Sequence, residues 1–128
     1  MLAMSAAIAD FQSLSAPGGG VIDRNHLART TLGDKGLERE VLQLFDRQSE
    51  LLLARMNDAP VAAVLALAHT MKGSARGVGA WQVADAAEAV EGAAGAQADG
   101  DRVARAFDRL TAAVGEARAA IAGLLRGH

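Results

Sequence analysis

The sequence contains no cysteine, and this absence excludes two kinds of chemistry. Neither a disulfide nor a catalytic thiolate can form anywhere in the 128 residues. A chain without cysteine is compatible with a reducing compartment, and we expect this protein in the cytoplasm.

Aromatic residues are almost as scarce, with three Phe, one Trp and no Tyr. Because 51% of the residues are nevertheless apolar, alanine, leucine and valine must supply most of the core. Alanine loses no side-chain entropy in a helix, so this composition favours helical structure. The length is typical of one domain, since single domains most often have ~100–150 residues.

Long apolar runs and an excess of one charge are also missing. No stretch approaches the ~18 uninterrupted apolar residues of a membrane-spanning helix. The N-terminus carries no cationic segment and is interrupted by Asp10, so it is not expected to be a signal peptide. The 13 basic and 15 acidic residues are interspersed, without the basic patch that nucleic-acid binding requires. We expect a protein that binds neither a membrane nor nucleic acid.

Glycine and proline divide the chain into an N-terminal segment and one helical domain. The breaker cluster from Ser15 to Gly20 predicts a linker, which separates residues 1–20 from a domain at 21–128. Residues 1–14 form either a short helix or an irregular segment. Helical spacing of apolar residues predicts a short helix at about 24–32 and longer ones at about 35–57, 60–76, 80–94 and 101–125. The predicted fold is all-α, an antiparallel four-helix bundle with an additional short N-terminal helix.

The helix predicted at 60–76 carries a histidine on its polar side. At about 100° per residue, the apolar side chains fall on the face opposite His69; they are Val64, Leu67, Met71 and Val78. Because this apolar face must be buried against the bundle, we expect His69 to point into solvent.

The residues around His69 suit phosphoryl transfer. Imidazole titrates near neutral pH, so a neutral fraction is available as a nucleophile. Lys72 and Arg76 lie one and two turns further on, where they can attract the charge of a phosphoryl group. Gly73 removes a side chain beside the ring and leaves room for a partner. A glycine within a helix costs ~1 kcal/mol relative to alanine, and such an approach explains its presence.

A small apolar patch is predicted on the same side of this helix. Leu65 shares the face of His69, where a leucine contributes nothing to folding. Together with Ala62 and Ala66 it forms a flat apolar surface, on which we expect a partner protein to dock.

The segment His69-Thr70-Met71-Lys72-Gly73, followed by Gly79, resembles the signature of the histidine-containing phosphotransfer (HPt) domain. The similarity extends over roughly residues 21–125. It implies that His69 is phosphorylated, that Lys72 orients and neutralises the phosphoryl group, and that Gly73 gives the partner clearance. Gly79 would shape the turn into the next helix.

The resemblance assigns no role to two further residues near this motif. Arg76 is not a fixed position of the family, so its role rests on the helical wheel alone. Glu91 lies where some relatives carry glutamine, and its part in the site is left open. The resemblance also implies a four-helix bundle with an added helix, which agrees with the pattern of predicted helices.

The function expected from this resemblance is that of a phosphorelay intermediate. His69 would accept a phosphoryl group from a receiver-domain aspartate or a hybrid sensor histidine kinase and pass it to a response-regulator aspartate. The sequence has no glycine-rich phosphate loop, so we expect a monomeric phosphocarrier rather than an autonomous kinase. No cofactor or metal of its own is expected, because Mg²⁺ belongs to the partner receiver domain.

Two alternatives remain open from the sequence. The chain could be the phosphorylatable segment of a chemotaxis-type histidine kinase, which carries a similar His-x-x-Lys-Gly helix. It could also be a non-phosphorylated helical adaptor that binds receiver domains without transfer. An ATP-binding module encoded directly downstream would favour the first, and binding without labelling would favour the second.

Overall fold

The computed structural model describes residues 20–95 and 98–127, which form five helices and no strand. The helices are α1 (Arg24–Thr30), α2 (Lys35–Asp58), α3 (Val61–Val78), α4 (Trp81–Ala94) and α5 (Gly100–Gly127). The all-α prediction is therefore confirmed, and every predicted helix end lies within two residues of its position in the structure. The proposed alternatives for residues 1–14 lie outside the described residues.

The four longer helices form a closed ring. α3 packs against α4 and α4 against α5, while α2 lies against both α3 and α5. The Arg39 guanidinium on α2 donates to the carbonyl of Leu125 near the end of α5, at 2.9 Å. Further along α2, Asp46 accepts from Arg118 at 2.7 Å. As the residue number rises on α2 it falls on α5, so these two helices are antiparallel.

The core of the bundle is built mainly from aliphatic side chains, and α4 contributes small ones. Ala84, Ala86 and Ala87 are almost completely buried on this helix. Small residues let two helix backbones approach closely, because no long side chain separates them. This close approach brings the polar residues at the edge of α4 within reach of α3. No helix in the described ranges has both the length and the apolar character needed to cross a membrane.

The turn between α3 and α4 requires glycine at position 79. Gly79 has φ of 79°, in the left-handed region, and its amide closes the last turn of α3. Its carbonyl accepts a hydrogen bond from the Asp23 amide at 2.9 Å. A Cβ at this position would lie 2.9 Å from the Asp23 carbonyl oxygen. Both the backbone angle and the close contact therefore disfavour any other residue.

The start of α1 is held against this turn by Asp23. One carboxylate oxygen accepts from the His26 amide at 3.0 Å and caps α1, and the other accepts from the Trp81 indole at 2.9 Å. Burial by itself raises the pKa of the Asp23 carboxyl, but these hydrogen bonds outweigh it and the pKa lies below its usual value. The His26 ring also meets Trp81 edge to face, with centroids 4.9 Å apart. α1 is thus joined to the first residue of α4.

Candidate functional site

His69 lies in the middle of α3 on the side that faces solvent. The opposite side of the helix is buried in the core; its residues are Val64, Ala68, Met71, Ala75 and Val78. The His69 side chain is 70% exposed, as the helical spacing predicts. Leu67 is only partly buried and packs at the edge of the core, so its expected place in the buried stripe was only partly right.

A carboxylate from α4 bridges His69 and Lys72. One oxygen of Glu91 lies 2.8 Å from His69 Nδ1, and the other lies 2.6 Å from Lys72 Nζ. The side chains of Lys72 and Glu91 are 16% and 17% exposed, so most of this ion pair is withdrawn from water. The exposed imidazole therefore sits on a largely buried pair of opposite charges.

The position of Lys72 differs from the expectation of a cation standing free in solvent. The wheel correctly places Lys72 outside the buried stripe, yet it turns towards α4 and its ammonium group contacts Glu91. The wheel describes α3 alone and contains no information about the neighbouring helix. Lys72 is consequently held in one place before any phosphoryl group arrives.

The ionisation of Glu91 determines which ring nitrogen of His69 carries the proton. The hydrogen bond from Lys72 lowers the pKa of Glu91, burial opposes this, and the contact with His69 lowers the pKa further, so the net pKa is below its ordinary value. Glu91 is therefore a carboxylate at neutral pH. An ionised carboxylate only accepts hydrogen bonds, so Nδ1 of His69 must carry the proton. In the neutral ring this leaves the lone pair on Nε2 free.

Arg76 does not belong to this bridge. Its guanidinium lies 3.3 Å from Glu88 on α4, and the two side chains are 54% and 60% exposed. Such an exposed ion pair contributes about 0.2–1 kcal/mol to stability. Arg76 can therefore leave Glu88 for another partner at little cost in free energy. The structure thus brings Arg76 to the same edge of α3 and α4 as His69, one turn beyond Lys72, without joining it to the imidazole.

The residues of the predicted docking patch share the exposed side of α3. Leu65 is 39% exposed, and Ala62 and Ala66 are exposed beside it. A Cβ added to Gly73 would meet nothing within 4 Å, so the space next to His69 is open. These residues form one solvent-facing surface around the imidazole, and its use for binding remains a prediction.

Glu91 is the residue whose part the sequence left open, although a signal for it exists. The turn between α3 and α4 contains only Gly79 and Ala80. In an antiparallel pair joined by so short a turn, residues at equal distance from the turn come side by side. His69 lies ten residues before Gly79 and Glu91 eleven after Ala80, so counting from the turn brings the two residues to nearly the same level but does not say whether their side chains face each other.

The fold and the site define a helical bundle that presents an exposed imidazole next to a lysine paired with a glutamate. The family model described as Hpt domain matches residues 39–120, more than half of the chain, and the chain belongs to this family. Hpt domains carry out histidine phosphotransfer in two-component phosphorelays and interact with receiver domains. The matched range includes both His69 and Glu91. Comparisons with curated proteins and with solved structures found no match.

Proposed function

We propose that this protein is a phosphorelay intermediate that carries a phosphoryl group on Nε2 of His69. The group comes from the aspartate of a receiver domain or hybrid kinase and passes to the aspartate of a response regulator. The observation that carries this proposal is an exposed imidazole whose Nδ1 contacts a carboxylate of lowered pKa. We place the protein in the cytoplasm as a monomeric phosphocarrier.

The transfer step follows from the protonation of the ring. The Nε2 lone pair attacks phosphorus of the donor aspartyl phosphate, the N–P bond forms and the bond from phosphorus to the aspartyl oxygen breaks, releasing aspartate. The ring, still protonated on Nδ1, becomes cationic, and the Glu91 carboxylate at 2.8 Å stabilises this charge. The same steps in reverse deliver the group to the next aspartate. In this proposal Mg²⁺ is held by the receiver domain.

The cations beside His69 would offset the charge that the phosphoryl group adds. This group brings close to two negative charges at neutral pH. Lys72 lies one turn away with its ammonium already positioned by Glu91, and Arg76 holds Glu88 only through an exposed contact. We propose that both attract the phosphoryl group, with Arg76 exchanging its contact with Glu88 for one with phosphate.

The surface around His69 would receive the partner domain. Gly73 leaves open space beside the ring, and the neighbouring Leu65, Ala62 and Ala66 offer an apolar contact area. We propose that a receiver domain docks on these residues, because the acceptor aspartate must come within bonding distance of Nε2.

The direct test is to incubate the protein with a phosphorylated receiver and to follow the label. Wild type should acquire an acid-labile, base-stable label, and His69→Gln should not. His26→Gln, on α1 and away from the bridge, is the matched control and should be labelled like wild type. Label on His69→Gln equal to that on wild type would refute the proposal. Binding without any label on wild type would favour an adaptor instead.

The contribution of Lys72 is tested by Lys72→Ala in the same assay. Loss of one charge-assisted interaction with the phosphoryl group, about 1.5–3 kcal/mol, should slow transfer at least ~10-fold. Far-UV circular dichroism should show the same helix content as wild type, because Lys72 lies outside the apolar core. A folded variant that transfers at the wild-type rate would remove Lys72 from the mechanism.

A further inference from the structure

Three leucines of α2 face water instead of the core. Leu37, Leu44 and Leu51 are 42%, 47% and 52% exposed. They are seven residues apart, which places them on one side of the helix. We name these three residues the α2 leucine row. A single exposed leucine needs no explanation, but an aligned row forms an apolar patch of the kind that binds another protein.

The α2 leucine row lies on the flank of α2 that borders α3. It is rotated by about 120° from the buried residues of the same helix. Asp46, whose carboxylate binds Arg118 of α5, is rotated from the buried residues in the opposite sense. Because α2 lies between α3 and α5 in the ring of helices, the row is on the side of α3. The exposure of its leucines indicates that no helix of the described ranges covers it.

The α2 leucine row begins at the level of His69. The turn between α2 and α3 contains only two residues, so the helices are antiparallel and residues at equal distance from the turn lie at the same level. His69 is nine residues after Pro60, and Leu51 is eight before Ala59. Leu51 is therefore level with His69 to within about 1.5 Å. The other two leucines follow at steps of about 10 Å in the direction in which α3 ends.

Small residues form the surface of α3 between His69 and α2. Lys72 is rotated from His69 towards α4, so the opposite rotation leads towards α2. The exposed residues on that side are Ala62, Ala66, Thr70, Gly73 and Gly77. A Cβ added to Gly73 or Gly77 would meet nothing within 4 Å. These small residues and the α2 leucine row together form a trough that starts beside the imidazole. We name it the α2–α3 trough.

The reactive nitrogen of His69 is directed away from α4. Nδ1 contacts the Glu91 carboxylate of α4 at 2.8 Å, and Nε2 is on the far side of the ring. The edge between α3 and α4 carries charged groups, among them Arg76 and Glu88. Charged residues are depleted at the centre of protein interfaces, whereas apolar ones are enriched there. A domain that approaches Nε2 therefore finds its apolar contact on α2 and not on α4.

The exposed side of α3 alone is too small to hold a domain. Specific protein complexes bury about 600–1,000 Å² on each partner. The residues expected to contact the partner on α3 are Ala62, Leu65, Ala66 and Gly73, and three of these four have no side chain beyond Cβ. A docked domain must therefore cover a neighbouring helix as well. The α2 leucine row offers an apolar surface about 20 Å long for this purpose.

We propose that the receiver domain that exchanges phosphoryl groups with His69 docks along the α2–α3 trough, with the α2 leucine row as its main apolar contact. This inference rests on the phosphotransfer proposed above and adds the flank on which the partner lies. Glu40 and Arg47 are exposed on the side of the row away from α3, one turn before and one turn after Leu44, and form its polar rim. The receiver brings an apolar surface that matches the leucines.

Transfer kinetics at increasing receiver concentration test this inference. The probe is the phosphorylated receiver domain of the source organism that labels wild type fastest. Leu44→Glu and Leu51→Glu should each raise the receiver concentration for half-maximal rate about ten-fold or more. The rate at saturation should change less than about two-fold, because the row does not touch the reacting atoms. Ala119→Glu is the matched control, an exposed position on α5, across the ring from α3, and should behave like wild type.

Gly77→Leu separates docking from folding. Leucine is a better helix former than glycine and the space around Gly77 is open, so this variant should unfold at a higher urea concentration than wild type. Its side chain would fill part of the α2–α3 trough, and the receiver concentration for half-maximal rate should rise about ten-fold. A bundle that is more stable and yet binds the receiver more weakly cannot owe the weaker binding to unfolding.

The possible failures of the two proposals are distinguishable. If wild type is labelled and both leucine variants keep the wild-type half-maximal concentration, the trough is not the docking site, while phosphotransfer at His69 stands. If no receiver labels wild type, the proposed function fails and the docking inference fails with it. A wild-type dimer in sedimentation velocity that dissociates in Leu44→Glu, with transfer unchanged, would assign the α2 leucine row to a second copy of the chain and overturn the inference.

Discussion

Replacing Glu91 with glutamine removes one negative charge from the bridge between His69 and Lys72 and keeps the size of the side chain. The carboxylate lies 2.6 Å from the Lys72 ammonium and 2.8 Å from the imidazole. Glutamine can still accept a hydrogen bond from one of these groups, but it cannot balance the charge of Lys72. The variant therefore isolates the electrostatic part of the bridge.

The expected loss of stability follows from the exposure of the two charged groups. A hydrogen bond to a charged group contributes about 1.5–3 kcal/mol, whereas an exposed ion pair contributes about 0.2–1 kcal/mol. Glu91 and Lys72 are 17% and 16% exposed, so the higher range applies. Glu91 also lies in the last turn of α4, where the helix dipole disfavours a carboxylate by about 0.3–1 kcal/mol. Glu91→Gln should thus lower the free energy of unfolding by about 1–2 kcal/mol at pH 7.

The loss should depend on pH in a defined direction. The hydrogen bond from Lys72 lowers the pKa of Glu91 in the folded protein below its ordinary value of 4.5. A carboxyl group with a lowered pKa stabilises the fold fully above its unfolded pKa, and this contribution disappears as the pH falls through the folded pKa. The difference between wild type and Glu91→Gln should therefore be greatest near neutral pH and shrink below about pH 4.5.

Urea unfolding followed by far-UV circular dichroism, at pH 7 and again at pH 3, measures this difference. Glu88→Gln is the matched control on the same helix, and its exposed contact with Arg76 should change the free energy of unfolding by at most a few tenths of a kcal/mol. If Glu91→Gln were as stable as wild type at pH 7, or equally destabilised at both pH values, the bridge would not stabilise the fold as we infer.

Three further predictions concern single residues. Gly79→Ala should lower the free energy of unfolding by about 1–3 kcal/mol, because Gly79 has a positive φ and lies close to Asp23. Gly77→Ala should raise the free energy of unfolding by up to about 1 kcal/mol, because the space around Gly77 is open. Equal effects of the two substitutions in urea unfolding would contradict this prediction. Trp81→Phe should lower the free energy of unfolding by about 1 kcal/mol, because the hydrogen bond to Asp23 is lost. An unchanged midpoint of thermal unfolding would argue against that bond. Glu91→Ala should slow labelling of His69 about 10-fold, with partial recovery in Glu91→Gln, which can still accept from Nδ1; labelling of Glu91→Ala at the wild-type rate would exclude a positioning role.

Local patterns were enough to predict the helices and the orientation of His69. The apolar spacing along each helix and the position of Gly79 after α3 are properties of neighbouring residues. They determine where a helix begins, where it ends and which side is buried. For the same reason the exposure of His69 followed from the residues opposite to it on α3.

Contacts between helices needed the assembled bundle. Lys72 was expected in solvent because its own helix offers it no partner, and Glu91 had no assigned part because it is 22 residues from His69 in the chain. The link between Asp23 and Trp81 spans 58 residues and was not predicted for the same reason. Helical periodicity gives the direction of a side chain but not what lies in that direction.

The sequence by itself determined an all-helical domain and a histidine on the polar side of its third helix, α3. Both depend on the spacing of residues along one helix. The tertiary structure alone decided that Glu91 joins this histidine to Lys72. That contact exists because α3 and α4 are antiparallel and the small residues of α4 let them approach closely. How the two helices pack therefore decides which ring nitrogen of His69 carries the proton and which one is free to react.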